Sequence, residues 1–342
     1  MLLSLLILLP AAAGVSAYFI RALRLRSAFL VGTGVLHLVL VGSLWVTAVA
    51  PEFGGWLAID PLGLLVLSLV SILFLVIAVY TVGFLRTEPP RGGRVFVSGM
   101  LGFLAAATLV ALSHHLALLW VGMETTTLTL APLVYHRHDR RSLEAVWKYL
   151  LLSSVGIALA LLGTFFLAAA QTVGHPLLLE DLIAGSSSLN PALLRTAFIF
   201  LLVGYGTKMG LAPLHAWKPD TYGEAPSLVA GLMAGGLTSC AFLGVARITE
   251  VSLAAGQAAF DRPLLLGFGL VSLVVAAAFM IGQLDLKRLL AYSSVEHMGL
   301  LVLGLGLGGV GPYGTVLHLV SNSLTKVVVF LAVGNVARAK LC

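Results

Sequence analysis

The fold class this sequence predicts is an all-α, polytopic membrane helix bundle of about eleven spans, and three observations predict it. The 342 residues are 59% hydrophobic and only 10% charged, with a mean hydropathy of +1.05. A soluble domain keeps roughly 25% charged residues. The apolar residues gather in stretches near the ~20 residues that carry a helix across a ~30 Å hydrocarbon layer. Between those stretches, basic and acidic loops segregate to opposite sides.

Taken in order, the spans cover roughly 2–20, 27–49, 61–85, 95–112, 116–135, 146–170, 193–216, 226–249, 263–283, 289–310 and 313–337. The first, MLLSLLILLPAAAGVSAYFI, has no basic residue ahead of its apolar run, and Arg21, Arg24 and Arg26 follow it. A secretory signal has the opposite polarity, so this is a retained helix with its start outside. The inner loops then carry Arg86, Arg91, Arg94, Arg137, Arg140, Arg141, Lys218, Lys287 and Arg288, with Arg338 and Lys340 in the inner tail. The outer side holds Arg195, Arg247 and Arg262 among Glu52, Asp60, Glu180, Asp181, Glu250 and Asp261. That asymmetry fits the positive-inside rule for an odd number of spans. It also accounts for the net charge of +6 without nucleic acid as a partner. The two cysteines, Cys240 and Cys342, form no CxxC, haem or cluster motif. No cofactor or metal site is expected, and any electron chemistry belongs to partner subunits.

Four charges remain inside or at the edge of apolar helices: Glu124, Lys148, Lys208 and Lys326. A charge at the bilayer centre costs on the order of 2.5–3.5 kcal/mol on insertion scales, and such residues mark ion paths or ion pairs. Glu124 lies in LALLWVGMETTTLTLAPLVY beside Thr125, Thr126, Thr127 and Thr129, hydroxyls able to bond a carboxyl. A static helix–helix hydrogen bond and proton handling both explain it.

Lys208 sits in LVGYGTKMGLAPLHAWKPD, with Gly204, Gly206 and Gly210 around it and Pro213 beyond. Proline removes a backbone donor and clashes one turn earlier, so a broken helix with free carbonyls is expected, the device by which transporters build midplane sites. Desolvation pulls a buried lysine toward neutrality and a nearby carboxylate pulls it back. A Glu124–Lys208 pair can therefore act as a proton switch. His215, seven residues on, falls on the same helical face and either continues a relay or caps at the interface.

The last span, LHLVSNSLTKVVVFL, places His318, Asn322 and Lys326 at i, i+4 and i+8, one polar stripe flanked by Ser321 and Thr325. It lines a hydrated path or packs on a partner subunit. In GQLDLKRLLAYSSVEHMG, Asp285, Lys287 and Arg288 read as solvated loop charges, and Ser294 and His297 share a face further in. Lys148, four residues after Glu144, is either a surface i, i+4 pair or a link between relay segments.

Together GMETTTL, WKYLLLSSVG, GTKMGLAPLHAWKPDTYGEAPS, QLDLKRLLAYSSVEHMG and SNSLTKVVVFLAVGNV resemble the antiporter-like membrane subunits of respiratory complex I and its relatives. The stretch APLVYHRHDRRSLEAVWKYLLLSSVGIALALLGTFF is most similar to the subunit of group 4 NiFe hydrogenases of the hydrogenase-4 component F kind. The resemblance, over about residues 60 to 340, implies inverted five-helix repeats, each with one discontinuous helix, and a central hydrophilic axis. It divides the chain into N-terminal helices (1–94), a first repeat (95–250) and a partial second repeat (251–342). It assigns Glu124 and Lys208 to the first-repeat pair, Lys326 to a second broken helix, and Lys148 and His297 to the axis. It implies a proton-translocating subunit among other membrane subunits and hydrophilic redox subunits with Fe–S or NiFe centres, in a bacterial or archaeal cytoplasmic membrane. A subunit of a multi-subunit sodium/proton antiporter and a non-pumping scaffold are the alternatives.

Two departures stand out. Many relatives carry a lysine or histidine in the helix after the first break, whereas residues 225 to 246 hold no acidic or basic side chain. The chain also stops at Cys342, where relatives continue for two or more spans, so a fragment or a short form is expected.

Overall fold

The computed structural model describes residues 1–87, 93–171 and 176–339. Arg91, Lys340, Cys342 and the side chain of Arg338 therefore lie outside the described residues. The helices are α1 (Leu2–Phe19), α2 (Leu23–Ser43), α3 (Pro61–Thr87), α4 (Gly93–Leu112), α5 (Leu116–Val134), α6 (Arg140–Ala170) and the short α7 (Leu179–Ala184). There follow α8 (Pro191–Met209), α9 (Trp217–Glu224), α10 (Ser227–Leu232), α11 (Thr238–Ala254), α12 (Ala258–Met280), α13 (Leu286–Leu307) and α14 (Gly311–Ala339). Among the described residues, eleven helical stretches are long and apolar enough to cross a membrane, one of them the continuous run through α10 and α11. Among the described residues the only extended pairing is a set of isolated bridges, Glu52 with Leu57, Leu57 with Ser113 and His115 with Leu178.

Those bridges tie together the loops at one end, the acidic end, where Glu52 also accepts hydrogen bonds from the Leu3 and Ser4 amides. The starts of α6, α9 and α13, carrying Arg141, Asp220 and Arg288, meet at the other, basic end. Successive spans thus alternate between two ends of opposite charge character, as the loop charges predict.

The α10–α11 span is buried along its whole length. Residues Met233–Leu237 widen it by a π-turn, and Gly231 and Gly235 let it lie against Val327 of α14. The α6–α8 contact is closer still. A side chain at Gly204 would meet the Ala160 amide and the Gly156 carbonyl at 2.6 Å, so only glycine admits this backbone approach.

Two local structures differ from expectation for identifiable reasons. Helix α6 begins at Arg140, six residues before the apolar stretch, because Asp139 and Ser142 close a capping box. Arg140 and Arg141 are thus in its first turn and not in a loop. Helix α8 starts on an Asn190 cap with Pro191 at its first position. It ends at Gly210 (φ +76°), three residues ahead of Pro213. Two of the expected free carbonyls are satisfied: Gly210 N donates to Thr207 O (3.0 Å), Leu211 N to Gly206 O (2.9 Å), and the Trp217 indole to Thr207 O (2.9 Å). This is a Schellman closure, which needs the left-handed glycine. Helix α14, by contrast, runs unbroken past Lys326, so the second break expected there is absent from residues 311–339.

Candidate functional site

Lys208 occupies the last turn of α8 and is fully buried. Its ammonium donates to Thr127 Oγ1 on α5 and reaches Glu124 Oε2, one turn earlier on the same helix, at 3.4 Å. The other carboxylate oxygen lies 3.5 Å from Ser154 Oγ on α6. Glu124 keeps 23% of its side-chain surface exposed while Lys208 keeps none, so the pair joins a partly exposed acid to a fully buried base. The carboxylate has the Ser154 hydroxyl within reach, and the lysine keeps Thr127 if the acid turns away.

The second cluster lies between α13 and α14. Lys326 Nζ donates to Ser293 Oγ (2.7 Å). His297 Nδ1 and His318 Nε2 are 3.1 Å apart. Buried Asn322 lies between His318 and Lys326 in sequence, with neither amide atom bonded to another side chain. The predicted stripe of His318, Asn322 and Lys326 thus meets α13 of its own chain. Glu296, one residue from His297, acts through space on both Lys326 and His318. Glu296 is a further ionisable group at this cluster, and its signal in the sequence is an acid in an apolar span.

Lys148 is 43% exposed and bonded to Glu144 (2.7 Å) and to Asp220 (2.8 Å) at the start of α9. Asp220 also accepts from Arg288 (3.0 Å). With Arg141, Glu224 and Asp285 these residues line a polar cavity of about 360 Å³ at the basic end. The i, i+4 pair exists, and the same ammonium also links α6 to α9. Asp285 caps α13 through the Lys287 and Arg288 amides, while Lys287 Nζ donates to the Gly223 and Ala225 carbonyls that end α9. Asp285 and Arg288 are exposed, as solvated charges are, and Asp285 and Lys287 also hold helix ends.

His215 is not on a helical face shared with Lys208, because α8 ends between them. Its ring lies 6.3 Å from those of both Phe279 and Tyr292. Lys218 and Asp261, placed in loops by sequence, and Arg247, placed at the outer end of a span, are all buried. Lys218 Nζ donates to Ser294 Oγ on α13 (3.0 Å). Arg247 bonds Asp60 (2.5 Å) and the carbonyls of Val110, Ala111 and Ser113, and His114 joins the same carboxylate at 3.2 Å. Burial alone would raise the Asp60 carboxyl, but the His114 bond and the Arg247 charge hold it well below the usual carboxylate range.

A multi-pass membrane protein with a buried acid–lysine pair at an interrupted span is the class these features define. The family model described as "NADH:quinone oxidoreductase/Mrp antiporter, TM" matches residues 113–341, and the chain belongs to that family. It is 34% identical over 312 residues to a hydrogenase-4 component F homolog of Methylacidiphilum infernorum, covering 88% of this chain and 66% of that one. It is 32% identical over 297 residues to NADH-quinone oxidoreductase subunit N of Desulforudis audaxviator, covering 86% and 58%. The chain spans about half to two thirds of the length of the curated relatives it matches.

Among solved structures, the fold is similar to a chain of an archaeal respiratory membrane complex, the membrane-bound sulfane sulfur reductase. There the TM-score is 0.89 at 23% identity, over 98% of this chain and 71% of that one. It is also similar to a chain of respiratory complex I from Thermus thermophilus, with a TM-score of 0.77 at 26% identity, over 96% and 70%.

Proposed function

We propose that the chain is a proton-translocating membrane subunit of a complex I-like or group 4 hydrogenase assembly. The observation that carries this reading is Lys208: a fully buried lysine at a helix break, facing a partly exposed glutamate on another span. When Glu124 is near, its charge keeps the proton on Lys208. When it swings to the hydroxyl side, desolvation favours release. Redox work in partner subunits would move Glu124, and the proton would continue through Lys326, His297 and His318. The polar cavity holding Lys148 is the uptake mouth. The names of the relatives, hydrogenase-4 component F and NADH-quinone oxidoreductase subunit N, support this class of assembly.

In this reading, residues 95–250 form the first repeat and 251–342 part of the second, after N-terminal helices over 1–94. Other membrane subunits flank the chain, and hydrophilic subunits with Fe–S or NiFe centres dock on its basic end. The membrane is a bacterial or archaeal cytoplasmic one, with the N-terminus outside and the basic end inside.

The test is proton uptake by membrane vesicles holding the full assembly, driven by NADH or by dihydrogen. Lys208→Met is expected to lower uptake tenfold or more while the subunit still incorporates. Undiminished uptake would overturn the reading. Flux of equal size with no reductant present would assign the chain to the antiporter alternative.

A further inference from the structure

We infer that Lys218, on the half-helix after the break, is the middle proton carrier between Lys208 and Lys326. This inference rests on the translocation reading above and names a residue which that reading leaves out. The span after the break offers no ionisable group between residues 225 and 246 apart from Cys240. Its nearest polar link to α14 is the Ser239–Ser323 hydroxyl pair (2.9 Å), which carries no exchangeable charge. The break itself supplies what that helix lacks.

Lys218 is fully buried on α9. A side chain built on Gly210, two residues past Lys208, would stand 3.1 Å from Lys218 Nζ, so the ammonium lies against the break. Glycine is required there twice, for its positive φ and for this contact. From the break the ammonium reaches Ser294 Oγ (3.0 Å), and the adjacent Ser293 Oγ takes the bond from Lys326 Nζ (2.7 Å). Two consecutive residues of α13 thus hold the two lysines. Serine hydroxyls both donate and accept, so the pair of them can pass a proton.

The groups around Lys218 make a static ion pair an inadequate account. Among the described residues no carboxylate pairs with it, and the charged side chain acting on it is another cation, Lys326. The Tyr222 ring lies 5.8 Å away, the face of an uncharged phenol. His297 on α13 feels both lysines, and Glu296 acts on Lys326. Like charges disfavour simultaneous protonation, so occupancy of one lysine promotes release from the other. The step moves one proton and no electrons. An N–H bond breaks on Lys208 and one forms on the lone pair of neutral Lys218, with water carrying the proton across the break, and water between the Ser294 and Ser293 hydroxyls carries it on to Lys326.

The test compares Lys218→Met, Lys218→His and Lys208→Met in vesicles holding the full assembly, with NADH- or dihydrogen-driven proton uptake followed across pH. Lys218→Met is expected to cut uptake at least tenfold at every pH. Lys218→His is expected to restore part of it with an optimum displaced to lower pH, since imidazole ordinarily loses its proton near pH 6.5. Should Lys218→Met not incorporate, the histidine profile decides: displacement supports the relay, and an unshifted profile overturns it. If Lys208→Met stops uptake and Lys218→Met pumps normally, the relay role falls and the function stands. If both pump normally, the function falls with it.

Discussion

Two carboxylate–cation pairs in this molecule look alike on paper and differ in what they can do. At the acidic end, Asp60 meets Arg247, which also holds three backbone carbonyls of the α4–α5 turn. In the bundle, Glu124 meets Lys208 at 3.4 Å with hydroxyls from Thr127 and Ser154 as alternative partners. Arginine presents a fixed fork of donors and does not give up its proton; lysine is a single point that can. The first pair is a clamp that must stay closed. The second can open at low cost, because a lysine left without its acid sheds a proton instead of remaining charged and buried.

That difference can be broken or sharpened by substitution. Arg247→Met removes the guanidinium from Asp60 and from three carbonyls, a loss of about 3–5 kcal/mol, measured as a lowered unfolding midpoint in detergent. Arg247→Lys should recover little of it, since one ammonium cannot make four bonds. Gly204→Leu forces α6 and α8 apart and is expected to cost about 1–3 kcal/mol, with Lys208 displaced from α5 and uptake lost alongside.

Asp60→Asn weakens the clamp with a dependence on pH. The Asp60 carboxyl is held below its unfolded value, near 3.9, so its stabilisation is fully present above that value. It is lost as pH falls through the lower folded value. The gap in midpoint between wild type and Asp60→Asn should therefore be constant near neutrality and close in acid. The smallest effect on stability is expected for Glu124→Gln, because Lys208 keeps its Thr127 bond and can shed its proton.

Much of the candidate site was legible because lipid makes charge conspicuous. Glu124, Lys208, Lys326, His297 and His318 stand out against apolar neighbours, and the structure sets them in two clusters. What sequence hid was distance and context. Lys218 lies in WKPD, five residues after a proline and two before an aspartate, and reads as a loop although its stem packs on Gly210. Arg247 sits near the end of a span, where hydropathy cannot tell a lipid-facing snorkel from a buried clamp. The Lys148–Asp220 bond joins residues 72 apart, beyond any spacing argument. The break after Lys208 was visible through its glycines and Pro213. Lys326 lacks such neighbours, and its helix runs straight through.

The most direct measurement is reductant-driven proton uptake in vesicles holding Glu124→Gln, set against the unfolding midpoint of the same protein. Uptake at least tenfold lower with the midpoint nearly unchanged is the expected result, since the pair works by opening. Uptake at the wild-type level, or a loss matched by an equally large loss of stability, would make Glu124–Lys208 a clamp like Asp60–Arg247.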